Sequence, residues 1–92
     1  MFLTIAIHHP RPEYIEDFLA FMARTEIAVE GAPGLLEFRS WREAGGGRLV
    51  GLARWESQAA FQAAMPLIMS GTADRQEEWS ERPDDLLMLT EP

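Results

Sequence analysis

The chain has 92 residues and a formal net charge of −7, from 15 acidic side chains and eight arginines. This length predicts a single domain, residues 1–92, with a modest core. The acidic charge disfavours nucleic acid and anionic membranes as partners, because both are negatively charged. No apolar run is long enough for a membrane span, and the first residues lack the basic segment of a signal peptide, so we expect a cytoplasmic protein.

Three residue types with distinctive chemistry, Cys, Lys and Asn, are absent from the chain. Their absence excludes disulfides, zinc–thiolate sites, Schiff bases and asparagine-based oxyanion holes. The two histidines, His8 and His9, are neighbours, and consecutive side chains of a strand point to opposite faces. With no paired His ligands and no Gly-rich phosphate loop, we expect no metal, nicotinamide or flavin cofactor.

The first part of the chain predicts a strand followed by a helix. The strand, Phe2 to His8, carries apolar side chains on both faces, which is typical of a strand covered on both sides. Pro12 suits the first turn of the helix, and apolar residues then recur at helical spacing as far as about Val29. The Gly-Ala-Pro-Gly segment at 31–34 ends the helix.

The middle of the chain predicts a β-hairpin. Extended runs at 34–42 and 48–55 flank three glycines at 45–47, which allow the backbone angles of a tight turn. Strict alternation in the first run puts Leu36, Phe38 and Ser40 on one face. It puts the intervening residues on the other: Leu35, Glu37, Arg39 and Trp41.

The last third predicts a second helix with an interruption, then a strand. Ser57 is a good N-cap for the Ala-rich helix, and Pro66 is expected to break or kink it. Thr72 is expected to cap a new short helix at 73–79, and residues 86–90 form the final strand. Because a turn follows Pro66, the segment from Met65 to Trp79 is predicted to be a mobile lid.

The resulting order, βαββαβ, predicts a ferredoxin-like α+β fold: a four-stranded antiparallel sheet with helices on one face. All four strands carry apolar side chains on both faces, so the face without helices would be a large exposed apolar surface. The simplest way to cover it is a second copy of the chain. We therefore expect a homodimer that packs through its sheet faces.

Three short segments resemble the antibiotic biosynthesis monooxygenase (ABM) domain family. They are Pro33-Gly34-Leu35-Leu36 before the second strand, Trp55-Glu56-Ser57 after the third, and Gln58-Ala59-Ala60-Phe61 at the start of the second helix. The resemblance covers nearly the whole chain. It implies a dimeric α+β barrel with a small-molecule cavity between sheet and helices. Family members include oxygenases that oxidise aromatic phenols without metal or flavin.

The departures from the family concern its known active-site residues. Haem-degrading members of the family use an Asn on the first strand, a Trp on the second helix and a His beyond it. This chain has no Asn, and Ala64 and Asp74 stand where that Trp and His would be. The comparison disfavours haem degradation. Phenol-oxidising members also rely on an Asn and a Trp, so their detailed mechanism does not carry over unchanged.

The histidines and tryptophans are the first candidates for a site. His8 or His9 could act as a general base at the mouth of the cavity, with His9 slightly preferred; the alternative is a strand-end histidine bonded to a loop or facing solvent. Trp55 and Trp79 could bind a planar ligand, although Trp55 also fits the core and Trp79 a lid. Phe61, on the second helix, belongs to the same expected ligand-binding set.

Two arginines complete the candidates. Arg54 could hold a carboxylate or a substrate oxyanion, and Arg39 could pair with Glu37 or with a partner chain; the alternative for both is a salt bridge. The predicted function is a cofactor-independent monooxygenase acting on a small aromatic or quinone-like substrate. The alternatives are a non-catalytic dimer that binds a small hydrophobic ligand, such as a stress-response protein, and an isomerase or decarboxylase.

Overall fold

The computed structural model of the protein describes residues 1–92. It contains a four-stranded antiparallel sheet in which the first strand lies in the interior. The strands are β1 (Phe2–His8), β2 (Leu35–Arg42), β3 (Leu49–Trp55) and β4 (Asp85–Thr90), and the helices are α1 (Ile15–Val29) and α2 (Gln58–Gly71). Two 3-10 turns, Pro12–Tyr14 and Glu77–Trp79, precede α1 and β4. The sheet order is β2-β3-β1-β4, which confirms the ferredoxin-like α+β fold.

The register of β1 decides which side chains share a face. Phe2 stands opposite Trp55 of β3 and opposite Thr90 of β4. Because side chains alternate along a strand, Thr4 and His8 lie on the same face as Phe2, and all three are buried. The intervening side chains are only partly buried and lie on the opposite face: Leu3, Ile5 and Ile7.

The core consists of two apolar clusters beneath the helices. One is centred on Trp55, which is 0% exposed and donates a 3.2 Å hydrogen bond from Nε1 to Oγ1 of Thr4. The other joins α1 to β3 through Phe18, Phe21, Met22 and Leu49. A Trp with its N–H satisfied is a stable centre for a small core.

The Pro-Gly and Trp-Glu-Ser segments meet in space. Gly34 has φ +81°, and a Cβ there would lie 2.5 Å from Cβ of Ala60, so glycine permits close packing against the start of α2. The carbonyl of Gly34 accepts a 2.8 Å hydrogen bond from the backbone N–H of Glu56. The N-cap prediction is confirmed, since Oγ of Ser57 accepts a hydrogen bond from the N–H of Ala60.

Two details of the predicted elements are wrong. A β-bulge between Leu35 and Glu37 shifts the register, so Leu35 packs on the core together with Phe38, whereas Leu36 is largely exposed. Helix α2 also continues through Pro66 and ends at Gly71, so the predicted break is absent, while the alternative of a kink stays a prediction.

The continuation of α2 has a packing explanation. A Cβ on Gly71 would lie 3.0 Å from Cβ of Ala28 and 3.2 Å from Cα of Thr25, so the last turn of α2 lies close against α1. Contact of this kind outweighs the single hydrogen bond that a proline removes. Thr72 is consequently a C-cap and not an N-cap, and the predicted helix at 73–79 is reduced to a 3-10 turn.

The sheet face without helices carries exposed apolar side chains. Leu87, Leu89 and Trp41 are between 42% and 52% exposed. None of the helices combines the length and apolar character needed to cross a bilayer. The expectation that a second copy of the chain covers this face remains a prediction.

Candidate functional site

A cavity of about 220 Å³ lies between the sheet and the two helices. Its floor is formed by small residues of β1 and β3, Ala6, Gly51 and Ala53, and a Cβ added to Gly51 would meet no atom within 4 Å. The space therefore follows from the sequence, since larger side chains at these positions would fill it. The apolar walls come from both helices and two strands: Phe21, Met22, Phe38, Phe61, Met65, Ile68 and Leu86.

Three side chains form a charged group at one end of this cavity, here called the cavity cluster: His8, Asp84 and Arg75. Arg75 donates two hydrogen bonds to Asp84, from Nη1 at 2.5 Å and from Nη2 at 2.7 Å. Nδ1 of His8 lies 2.9 Å from Oδ2 of Asp84. The carboxylate of Asp84 thus bridges an imidazole and a guanidinium.

His8 is buried between aromatic rings, and one of its ring nitrogens has no hydrogen-bond partner. Its ring packs against the rings of Phe18, at a centroid distance of 5.0 Å, and Phe21, at 6.4 Å. Nδ1 is buried, and although it is close to Asp84 it lacks the alignment of a hydrogen bond. The nearby carboxylate favours the tautomer with the proton on Nδ1, which leaves Nε2 as the basic nitrogen.

The charge state of Asp84 follows from its two partners. Burial of the Asp84 carboxyl would by itself raise its pKa, but the hydrogen bonds from Arg75 and the contact with His8 hold the pKa well below the usual range. Asp84 is therefore ionised throughout the physiological pH range. An ionised Asp84 places a negative charge 2.9 Å from Nδ1 of His8.

Arg75 and Asp84 are the residues of the cavity cluster that were not candidates from the sequence. The guanidinium of Arg75 lies over the ring of Phe18, 4.8 Å from the centroid, and 5.7 Å from that of Phe21. Nη2 also donates a 3.1 Å hydrogen bond to Oγ of Ser80. Arg75 and Thr72 line both the cavity and a polar surface cleft, so Arg75 lies between the cavity and solvent.

His9, the preferred base at the sequence level, does not line the cavity. Its Nε2 makes an aligned 2.8 Å hydrogen bond with Oδ2 of Asp85, which also accepts one of 3.2 Å from Arg82. We call His9, Asp85 and Arg82 the edge cluster. The hydrogen bond from His9 lowers the pKa of Asp85, with a smaller contribution from Arg82. The preference for His9 over His8 is therefore not supported by the geometry.

The other predicted ligand-binding residues are divided between the cavity and elsewhere. Phe61 lines the cavity. Trp55 is enclosed in the core, and Trp79 packs on Phe18 and Phe21 behind the cavity cluster without lining the cavity.

The two predicted arginines also lie outside the cavity. Arg54 donates a 2.9 Å hydrogen bond to Glu37, and Arg39 lies 4.0 Å from the same carboxylate with its guanidinium over the ring of Trp41. Both are salt bridges of the sheet surface and do not contact the cavity. No group of three or more His, Asp or Glu side chains lies close enough together to hold a metal ion.

The fold is that of a ferredoxin-like α+β protein with a cavity between the sheet and the helices. The chain belongs to the antibiotic biosynthesis monooxygenase family, whose model matches residues 1–65. No curated protein matches the chain. The family assignment confirms the resemblance carried by the Pro-Gly and Trp-Glu-Ser segments, and both of those segments lie within the matched region.

Three solved structures illustrate the similarity. Rv0793 from Mycobacterium tuberculosis is 22% identical, with a TM-score of 0.85 over 99% of this chain and 94% of that one. MhuD from Mycobacterium tuberculosis, a haem degrader solved with two haems in its active site, is 26% identical, with a TM-score of 0.75 over 96% and 92%. SnoaB from Streptomyces nogalater, a cofactor-independent oxygenase, is 18% identical, with a TM-score of 0.80 over 98% and 91%.

Proposed function

We propose that the protein is a cofactor-independent monooxygenase that oxidises a small aromatic or quinone-like molecule bearing an acidic hydroxyl group. The observation that carries the proposal is the position of His8, at the polar end of an otherwise apolar cavity, with the ionised Asp84 behind it. A neutral imidazole supported by a carboxylate is a suitable general base near neutral pH. Family membership and the cofactor-independent oxygenase among the structural neighbours support the same reaction class.

In this proposal Nε2 of His8 removes the proton from the substrate hydroxyl. Asp84 stabilises the imidazolium that forms, and Arg75 keeps Asp84 ionised. The electron-rich substrate anion then transfers an electron to dioxygen, and the two radicals combine to form a carbon–oxygen bond. The peroxide anion that results takes the proton back from His8, and loss of water from this hydroperoxide gives the quinone product. One oxygen atom of dioxygen enters the product and the other leaves as water.

The rest of the cavity supplies binding and the exclusion of water. Its aromatic and aliphatic walls suit a flat apolar ring system, and the low polarity strengthens the electrostatic effect of the cavity cluster. Four residues with hydroxyl groups also line it: Thr4, Thr25, Ser40 and Thr72. Three of these hydroxyls already donate hydrogen bonds within the protein, Thr25 and Thr72 to backbone carbonyls and Ser40 to Glu26, so Thr4 is the one that can donate to a substrate oxygen.

Haem degradation is the less suitable reaction for this cavity. A volume of about 220 Å³ is below the usual range of about 300–1,000 Å³ for pockets that hold drug-sized ligands, and a tetrapyrrole is larger than most of those. Ala64 is a buried core residue, and Asp74 makes a 2.6 Å ion pair with Arg24. Neither of these positions offers a side chain that could act on a haem.

Oxygen uptake with a panel of hydroxynaphthoquinones and anthrones tests the proposal. We expect enzyme-dependent oxygen consumption with at least one member of the panel, and formation of the corresponding quinone without added metal, flavin or nicotinamide. If every compound binds without consuming oxygen, the protein is a binding module. If a compound is isomerised or loses carbon dioxide instead, the protein belongs to the alternative enzyme class.

We also propose that the protein is a homodimer in which two helix-free sheet faces pack together. The exposed apolar side chains of that face, including Leu87 and Trp41, support this arrangement. Light scattering should give twice the chain mass of 10.4 kDa. Leu87→Glu should produce the monomer, whereas Ile27→Glu, at an exposed apolar position on α1, should leave the dimer intact.

A further inference from the structure

We propose that Asp84 and Arg75 act as a charge filter: their ion pair leaves the polar end of the cavity with no net charge, so the cavity binds a ligand with a neutral hydroxyl and rejects a carboxylate of the same shape. This inference rests on the proposed function only for the position of the ligand in the cavity. It concerns binding, and it assigns a specificity role to two residues beyond the general base.

Arg75 has no pair of parallel donors left for an anionic ligand. Both terminal nitrogens are committed to the carboxylate of Asp84, and Nη2 also bonds Ser80. The flat face of the guanidinium is covered by the ring of Phe18. A fork engaged in this way cannot form the bidentate contact by which arginine usually recognises a carboxylate.

Few of the side chains that line the cavity are ionisable. Among its 17 lining residues, the ionisable side chains are His8, Asp84 and Arg75; the others are apolar or carry hydroxyl groups, apart from Gly51. Within the ion pair, the negative charge of Asp84 cancels the positive charge of Arg75. A carboxylate entering this space would leave water without gaining a counter-charge, and it would face the like charge of Asp84.

A neutral hydroxyl group enters the cavity without the loss of a charge's hydration and without repulsion from Asp84. It can donate to Nε2 of His8, because Nδ1 is the nitrogen buried beside Asp84 and Nε2 is not among the fully buried polar atoms. When the proton moves to Nε2, the imidazolium and the ligand anion form together, so the net charge of the complex is unchanged. Arg75, unlike Asp84, also lines the surface cleft.

The filter has a consequence for Asp84→Asn. Replacing the carboxylate with an amide frees the fork of Arg75 and gives the cavity a net positive charge. The variant should then accept a carboxylate that the unmodified protein rejects. A gain of affinity for one ligand distinguishes this specificity role from a merely structural role of Asp84, which would weaken the binding of every ligand.

The test uses 2-naphthol and 2-naphthoate, which have the same ring system and differ in charge at neutral pH. Affinities are measured by titration calorimetry without oxygen, so the result does not depend on turnover. We expect the unmodified protein to bind 2-naphthol at least about tenfold more tightly than 2-naphthoate, since the carboxylate would lose its hydration and meet the like charge of Asp84. Asp84→Asn should raise the affinity for 2-naphthoate by at least about tenfold.

The matched control is Asp85→Asn, which removes a carboxylate from the edge cluster and should leave both affinities unchanged. Circular dichroism checks that each variant is folded, and the comparison of the two ligands on the unmodified protein requires no variant. Equal affinities for the two ligands, tighter binding of 2-naphthoate, or failure of 2-naphthol to bind would overturn the charge filter. Absence of oxygen uptake with the selectivity intact would overturn the proposed reaction and leave the filter standing.

Discussion

The cavity cluster and the edge cluster contain the same three residue types in two different environments. In each, a histidine from the end of β1 contacts an aspartate at the start of β4, and the aspartate accepts hydrogen bonds from an arginine. The side chain of Asp84 is 23% exposed and that of Asp85 is 52% exposed. Composition alone therefore does not separate a site from a surface ion pair.

The two histidines differ in their surroundings and in which ring nitrogen remains available to a ligand. His8 faces a cavity, and its buried Nδ1 leaves Nε2 as the nitrogen available to a ligand. His9 uses Nε2 for its hydrogen bond to Asp85, and its carbonyl accepts a 2.8 Å hydrogen bond from the N–H of Glu81. The edge cluster holds the end of β1 to the loop before β4, which is a structural task.

The largest expected effect is on turnover. His8→Gln should lower kcat/KM for the best substrate of the oxygen-uptake panel by about 10²–10⁴, because it removes the general base but preserves a polar side chain of similar size. His9→Gln should keep kcat/KM near that of the unmodified protein. If the two variants lose activity equally, the two clusters do not differ in the way described above.

The next effect is on stability. Asp84→Asn leaves the charge of Arg75 without a partner in a half-buried site, and should lower the free energy of unfolding by about 1–2 kcal/mol, less than for a fully buried pair. Asp85→Asn should change stability less, because the side chain of Asp85 is itself half exposed and its partner Arg82 is exposed to water. Urea unfolding of the two variants measures the difference, and a greater loss for Asp85→Asn would contradict the comparison.

The pH dependence of that stability difference has a definite sign. The folded-state pKa of Asp84 is lowered from an ordinary value of 3.8, so its contribution is present above that value and is lost as the pH falls through the folded-state pKa. The difference in unfolding free energy between the unmodified protein and Asp84→Asn should therefore be constant near neutral pH and shrink below about pH 4. A difference that grows in acid would show that folding raises the pKa of Asp84 instead of lowering it.

A smaller effect is expected at Trp79, which supports the cavity cluster from behind. It packs against Phe18 and Phe21, and these rings contact both His8 and Arg75. Trp79→Phe should reduce ligand affinity a few-fold with little loss of stability. Trp55→Phe should instead cost about 1–3 kcal/mol of stability, because it removes core volume and the hydrogen bond to Thr4. The reverse pattern would exclude Trp79 from any role at the cavity.

The fold could be predicted from the sequence because the hairpin, the strand periodicity and the capping residues are local signals. The cavity face was harder to assign, since β1 is apolar on both sides. A usable signal was present: Ala6, Gly51 and Ala53 are small, whereas Ile5 and Ile7 on the opposite face are bulky. That pattern favours the face of His8.

Other parts of the site carry no local signal at all. Arg75 and Asp84 lie on either side of the 3-10 turn before β4, and only the tertiary structure brings them to the end of β1. The bulge at Leu36 and the continuation of α2 through Pro66 likewise depend on packing between elements. Arg39 and Arg54 were predicted from their positions in strands, and strand position alone does not tell which face holds the ligand.

The most direct test of the central claim, that His8 is the base in this cavity, is a crystal structure of the protein with 2-naphthol bound in the absence of oxygen. We expect the ring system between the sheet and the helices, with its hydroxyl oxygen within about 3.2 Å of Nε2 of His8. A ligand bound on the helix-free sheet face, or in the cavity with its hydroxyl turned away from His8, would contradict the account.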